Sequence, residues 1–150
     1  ASCLVGSEMC IRDSTRAVSK FFLEKESGSI INMASLYGFL GTDQRTYKPI
    51  GSITPLHYSV AKGGILQMTR YFATLWAEKG IRVNSISPGV FPPKKGPDRP
   101  DYMEELTSRV PMGRVGRPED LAGTVMLLAS NASSYITGQN IVVDGGWSIW

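Results

Sequence analysis

Cysteine is nearly absent: the chain of 150 residues has Cys3 and Cys10 and none afterwards. A disulfide scaffold and a cysteine-ligated zinc site are thereby excluded, and a reducing, cytoplasmic setting is the expectation. Histidine occurs once, at His57, which excludes a histidine-rich metal site. Strictly apolar stretches such as Val125–Ala129 are far shorter than the roughly 20 residues of a membrane-spanning helix. No basic segment leads into an apolar one as in a secretory signal, so no membrane partner is expected. Neither charge sign dominates, with 16 Lys and Arg against 13 Asp and Glu. The cations are dispersed, and the tightest pair, Lys94–Lys95, sits among prolines, whereas a nucleic-acid footprint clusters them on one face. No nucleic-acid partner is expected. Finally, a glycine-rich strand-to-helix turn, the usual cradle of a pyrophosphate at a helix N-terminus, occurs nowhere in the chain.

What is present is a globular composition, 42% hydrophobic and 19% charged, in a length that suits one domain. From Gly28 onward, strand-like and helix-like segments alternate. A short apolar strand lies within Gly28–Ala34, and a polar loop follows from Gly38 to about Leu56. The spacing of Ala61, Ile65, Met68, Phe72 and Leu75 predicts a helix over 57–79 with these residues inward, ended by Gly80. Ile81–Ile86 is the next strand, closed by Ser87-Pro88-Gly89, and the four prolines of residues 92–100 mark a loop. A short helix is expected over Asp101–Val110. Another begins at Pro118 and runs to Ser130 with Leu121, Val125, Leu128 and Ala129 inward, and Asn140–Asp144 is the last strand. This alternation, with short β-branched strands, specifies an α/β fold: a doubly wound parallel sheet covered by helices. About three strands make only half of such a sheet, so the chain reads as its second half.

The chemistry gathers at strand ends and at one helix start. Tyr58 and Lys62, in Tyr58-Ser-Val-Ala-Lys62, project from one helical face a turn apart. A free phenol is a poor acid or base at neutral pH, and a nearby ammonium lowers its pKa into a usable range. A surface tyrosine beside a surface lysine has the same spacing. Ser35 follows the first strand, where open α/β sheets place their ligands, and its hydroxyl can polarise a carbonyl; a plain strand-end turn is the alternative. Ser87-Pro-Gly89 and Asp144-Gly-Gly146 end the other strands at the same sheet edge. His57 reads as a residue capping or flanking the helix start, and Asp120 as helix first-turn chemistry. Trp147-Ser-Ile-Trp150 reads as a tail that buries at a subunit interface.

Taken together, Ile30-Ile-Asn-Met-Ala-Ser35, Tyr58-x-x-x-Lys62, Arg82-Val-Asn-Ser-Ile-Ser-Pro-Gly89, Gly116-Arg-Pro-Glu-Asp120, Tyr135-Ile-Thr-Gly-Gln139 and Val143-Asp-Gly-Gly146 resemble the C-terminal half of a classical short-chain dehydrogenase/reductase, from about Thr15 to the end. The resemblance implies a Rossmann-like fold and hydride transfer between an alcohol and a ketone or aldehyde, with NAD or NADP as cofactor. By position, it makes Tyr58 the catalytic acid/base. Lys62 binds the nicotinamide ribose and lowers the Tyr58 pKa, and Ser35 orients the substrate carbonyl. Pro88, Gly89 and Val90 pack on the nicotinamide, the Val90 backbone meeting its carboxamide. The stretch Phe91–Met112 is the expected substrate lid. Helix 57–79, with Gly63–Gly64 for close approach, is the expected pairing surface of a homodimer or homotetramer.

Five departures qualify this resemblance. The glycine-rich cofactor turn is missing, and so is the family's Asn-Ala-Gly stretch. The catalytic asparagine expected near residues 6–8 is replaced by Gly6, Ser7 and Glu8, and residues 1–13 have no family counterpart; they read as a non-native, adapter-derived or disordered segment. The Ser35-to-Tyr58 spacing is longer than in most similar enzymes. The extra loop carries Arg45, Tyr47 and Lys48 and follows Tyr37, so it reads either as a wall for an anionic or sugar substrate or as a variable surface loop. Two functional readings follow. The first is the C-terminal part of a short-chain oxidoreductase acting on a small alcohol or carbonyl compound, inactive when isolated. The second is a non-catalytic binding or assembly module that keeps the pairing helix.

Overall fold

Three short β-branched runs form one parallel sheet of order β1-β2-β3, with β1 at Gly28–Met33, β2 at Ile81–Pro88 and β3 at Asn140–Val143. The computed structural model describes residues 2–92 and 100–150, with side chains from residue 10 onward. The described residues form four α-helices, α1 at Ser2–Lys25, α2 at Leu56–Trp76, α3 at Pro100–Ser108 and α4 at Ala122–Ala129; α1, α2 and α4 pack on the sheet. The parallel α/β fold expected from the alternation is the one observed. The proline-rich stretch expected at 92–100 falls mostly outside the described residues.

Register explains how the two faces are filled. Ile30 pairs with Val83, and both pack on Phe72 and Trp76 of α2; the rings of those two aromatics stack at 4.5 Å. One residue along each strand, the side chains reverse face. There Ser29 donates to the Leu128 carbonyl at 2.7 Å, and Arg82 donates to the same carbonyl at 3.0 Å, to Ser133 Oγ at 2.7 Å and to the Ser130 carbonyl at 3.1 Å. A guanidinium at a helix C-terminus both satisfies the last carbonyls and complements the dipole, so Arg82 fastens α4 to the sheet. Asn84, fully buried, donates to the Ile136 carbonyl at 2.8 Å and accepts from the Gln139 amide at 3.0 Å, which seats β3 against β2.

Several details correct the expectations drawn from periodicity. The buried face of α2 is Ile65, Leu66, Thr69, Phe72, Ala73 and Trp76, and Leu75 is exposed. The stripe turns because Thr69 holds a core position by bonding: its Oγ1 donates to the Ile65 carbonyl at 2.8 Å and accepts from Asn32 Nδ2 at 2.9 Å. In α4 only Leu128 is fully buried, and Val125 and Ala129, expected inward, are exposed. Its last turn is bonded to the sheet through the Leu128 carbonyl. Gly63 serves a contact within the chain: a Cβ there would lie 3.2 Å from the Gly38 carbonyl oxygen, and one at Gly38 would lie 2.7 Å from that of Lys62. The close approach is between α2 and the turn after β1.

Residues 2–13, expected to be a non-native or disordered segment, lie in the helix α1, continuous with its later residues. A helix is indifferent to the origin of its residues, and the foreign origin stays a proposal. Asp120 does act in the first turn, accepting from the Arg117 amide at 2.8 Å and from Arg114 at 2.7 Å. These donors hold its carboxyl down at about 2, Arg114 contributing most. Trp150 donates from Nε1 to the Arg109 carbonyl at 3.2 Å while its ring stays exposed.

Gly80 ends the α2 segment at φ 68°, and a Cβ there would lie 2.3 Å from the Glu26 carbonyl oxygen. Both the left-handed backbone and the contact exclude a side chain. Gly80→Ala is expected to destabilise the complete protein by about 1–3 kcal/mol. The midpoint of urea unfolding reads this directly; an unchanged midpoint would mean that the turn relaxes at no cost.

Candidate active site

The carboxyl ends of β1 and β2 open onto a cavity of about 350 Å³. Ser35 reaches it because β1 stays extended for two residues past Met33: the Ala34 amide continues the ladder to the Ile86 carbonyl at 2.8 Å, and Ser35 keeps an extended backbone at φ −167°. Its Oγ accepts from the Tyr37 amide at 3.2 Å, capping the 3-10 turn Leu36–Gly38. An oxygen used as an acceptor retains its own hydrogen, so the buried Ser35 hydroxyl is a donor to the cavity. The strand-end turn and the presented hydroxyl are therefore one arrangement.

Tyr58 lies in the first turn of α2 and lines the same cavity, the residue being 39% exposed. Lys62 stands one turn further on, and its Nζ lies 5.8 Å from the centre of the Tyr58 ring. The ammonium is held by the Met33 carbonyl at 2.9 Å, and burial pushes its pKa below the usual lysine range. It faces the neighbouring groove of about 510 Å³ along the outer edge of β1, between Asn32, Met33 and Thr15. Tyr58 and Lys62 thus share a helix face but open on two sides of the β1 end.

Gly89 and Val90 line the cavity from the end of β2, and Pro88, half-buried, closes the strand without reaching it. The Gly89 amide bonds the Val143 carbonyl and the Val90 carbonyl accepts from Gly116, each at 2.9 Å. That pair of bonds fixes this short segment against β3 and the chain leading to α4. His57 is exposed in the first turn, and α2 begins at Pro55 without a side-chain cap, so His57 flanks the helix and does not cap it.

The opposite wall joins Tyr37 and Tyr47, which the loop reading named, to residues that it left aside. The 3-10 helix Gln44–Ile50 packs on α3, with Tyr47 6.2 Å from Tyr102 and 6.5 Å from Tyr37, ring centre to ring centre. Tyr47 donates to the Tyr37 hydroxyl at 3.0 Å, and burial, then this bond, push Tyr37 well above the usual phenol range. Tyr37 is thereby a neutral donor. Asp43 bonds Arg45 at 2.7 Å and Arg109 at 2.5 Å, and these two, Arg45 most, hold its carboxyl well below the usual range. Tyr102, Thr54, Asp43 and Arg109 carried no signal in the sequence; the Tyr47–Tyr102 and Asp43–Arg109 contacts join residues dozens of positions apart.

A parallel sheet with a serine after one strand and a Tyr-x-x-x-Lys pair at the helix opposite it defines a recognisable class of α/β protein. The family model described as enoyl-(acyl carrier protein) reductase matches residues 10–148. The chain belongs to the short-chain dehydrogenase/reductase family. It is 34% identical over 140 residues to a galactitol 2-dehydrogenase (L-tagatose-forming) of Cereibacter sphaeroides, covering 91% of this chain and 52% of that protein. Among solved structures, a gluconate 5-dehydrogenase from Burkholderia cenocepacia in complex with NADP and tartrate superposes with TM-score 0.78 at 30% identity, covering 89% of this chain and 50% of that one. A short-chain dehydrogenase from Leptospira borgpetersenii with bound NAD+ gives TM-score 0.74 at 38% identity, covering 87% and 48%. The chain spans about half the length of the relatives it matches. Among the described residues no helix is long and apolar enough to cross a membrane.

Proposed function

We propose that this chain is the catalytic, C-terminal half of an NAD(P)-dependent oxidoreductase that interconverts a small alcohol and its ketone or aldehyde. The observation that carries the reading is the convergence of Ser35 and Tyr58 on one cavity, with Gly89 and Val90 beside them and Lys62 one turn on. The residues fit the nicotinamide end of a dinucleotide. Lys62 has one of its three N–H groups on Met33 and two left for ribose hydroxyls, and Pro88, Gly89 and Val90 offer a fixed, partly apolar ledge. They do not fit the pyrophosphate, for which the chain has no glycine-rich turn.

When bound, the nicotinamide supplies hydride transfer to or from the reacting carbon. The chain's own residues handle the oxygen. In alcohol oxidation Tyr58 Oη takes the proton of the substrate hydroxyl, and in reduction it returns one to the carbonyl oxygen. Ser35 Oγ donates a hydrogen bond to that same oxygen as negative charge develops on it. Lys62, fixed by Met33, holds the ribose and places a positive charge beside the tyrosine ring. Val90 offers its backbone to the carboxamide. The galactitol and gluconate named for the relatives support an alcohol–ketone reaction of this type.

The test is turnover by the complete protein, followed through reduced-nicotinamide absorbance with NAD and with NADP over a panel of secondary alcohols and ketones. Absence of turnover in both directions with both cofactors overturns the proposal. Lys62→Met is expected to lower kcat/KM by about 10²-fold or more. We further propose a cytoplasmic homodimer or homotetramer paired through α2, whose Val60, Tyr71 and Leu75 are exposed. Sedimentation of the complete protein reads its oligomeric state.

A further inference from the structure

The two elements that wall the cavity opposite Tyr58 are joined behind it by charge. Among the described residues α3 packs chiefly on the 3-10 helix Gln44–Ile50, and it lends Tyr102 and the buried Leu106 to the cavity lining. Asp43 and Arg109 stand outside that lining. They border a neighbouring hollow of about 350 Å³, with Leu40, Ser108 and Trp147. Their bond therefore lies behind the wall, and it spans from the loop after β1 to the carboxyl end of α3.

Asp43 is the joint of this arrangement. Its Oδ1 accepts from the Arg45 amide at 3.0 Å, capping the 3-10 helix that carries Tyr47, and its Oδ2 accepts from Arg109 Nη1 at 2.5 Å. The Asp43 and Arg109 side chains are 29% and 28% exposed, whereas Arg45, the other partner of Asp43, is 75% exposed. Screening and side-chain entropy leave little to an exposed ion pair, and the sheltered one keeps more of its attraction. Arg109 is itself steadied: it binds Glu105 one turn back at 2.6 Å, and its carbonyl accepts from Trp150 Nε1 at 3.2 Å. The guanidinium is thereby aimed at the loop before any ligand arrives.

The contacts run on from Asp43 to the reacting end. Tyr47 donates to Tyr37, and the Tyr37 amide donates to Ser35 Oγ. Without the Asp43–Arg109 bond, the loop and α3 keep the Tyr47–Tyr102 ring contact at 6.2 Å. A tilted ring contact constrains spacing and direction less than a charged hydrogen bond does.

Resting on the proposed dehydrogenase activity, we infer that Arg109 and Asp43 are positioning residues, which fix α3 against the loop between β1 and α2 and so keep the cavity in the shape that receives substrate. Neither acts on the reacting oxygen.

The test reads local opening and kinetics in the same variants of the complete protein. In Arg109→Gln, hydrogen exchange of the α3 amides is expected to quicken about tenfold or more, with the amides of α2 unchanged. A cavity that is correctly shaped for a smaller fraction of the time weakens apparent binding in proportion. KM for the best alcohol or ketone should therefore rise about tenfold while kcat stays within about threefold. Asp43→Asn keeps the capping oxygen and should act alike, and the double variant should be no worse than the worse single one. Arg109→Lys keeps the charge and should recover most of the loss in KM. Glu105→Gln breaks only the bond within the chain of α3 and should change KM less than about twofold. Unchanged α3 exchange in Arg109→Gln overturns the inference, as does exchange that quickens equally in α2, or a KM that holds while α3 opens. An effect of Glu105→Gln as large as that of Arg109→Gln overturns it too, because the bond inside α3 would then account for both. All of these outcomes leave the dehydrogenase reading intact. Absence of turnover in the unsubstituted protein removes that reading and the inference with it.

Discussion

Tyr58→Phe in the complete protein is expected to lower kcat by about 10²–10⁴-fold, the range of a positioned general acid/base. The substitution removes one oxygen and leaves the ring, its place in the first turn of α2 and the neighbouring Lys62 in position. Cofactor affinity should therefore change little, and fluorescence titration with reduced nicotinamide separates binding from turnover. Ser35→Ala should act on the same step with a loss of about 10²–10³-fold, because it deletes the second donor to the substrate oxygen. It also removes the acceptor for the Tyr37 amide, so a thermal unfolding curve should accompany it. Retention of kcat within about threefold in Tyr58→Phe would falsify the assignment of Tyr58 as acid/base.

The polypeptide of residues 1–150, made alone, is expected to show no turnover and to associate through its open surfaces. Among the described residues β1 pairs on one side only, and its outer edge presents unpaired backbone groups. Beside it Val18, Phe21 and Met33 are exposed, and α4 exposes Val125, Met126 and Leu127. Parallel sheets are normally buried on both faces, and contiguous apolar surface of this kind is a contact waiting for a partner. Apolar-dye binding and sedimentation at several concentrations read the association. Activity restored by co-expression with a polypeptide carrying the first half of the fold would show what covers that surface. Turnover by the isolated chain would show instead that the cofactor needs nothing beyond these residues, and stable dimers without turnover in any combination would favour an assembly module.

The sequence alone determined the fold class, because alternation of β-branched runs with 3.6-period stretches is a local property that each segment carries by itself. It determined Gly80 as a helix end, Asp120 as first-turn chemistry, and the order of Ser35, Tyr58 and Lys62 along the chain. It marked the missing phosphate turn for the same reason, since that signal is contiguous. Only the tertiary structure decided which face of α2 is buried. Thr69 reads as polar in a pattern, and its hydrogen bonds to Asn32 and Ile65 make it a core residue. Only the tertiary structure showed Gly63 lying against Gly38, and the last turn of α4 bonded to Ser29 and Arg82 of the sheet. The same holds for the pocket. Tyr37, Tyr47, Thr54 and Tyr102 come to line one cavity through a contact between a loop and a helix far apart in the chain, where Asp43 binds both Arg45 and Arg109. Side-chain pairing across such distances depends on where the backbone brings two segments together, and no local pattern encodes it.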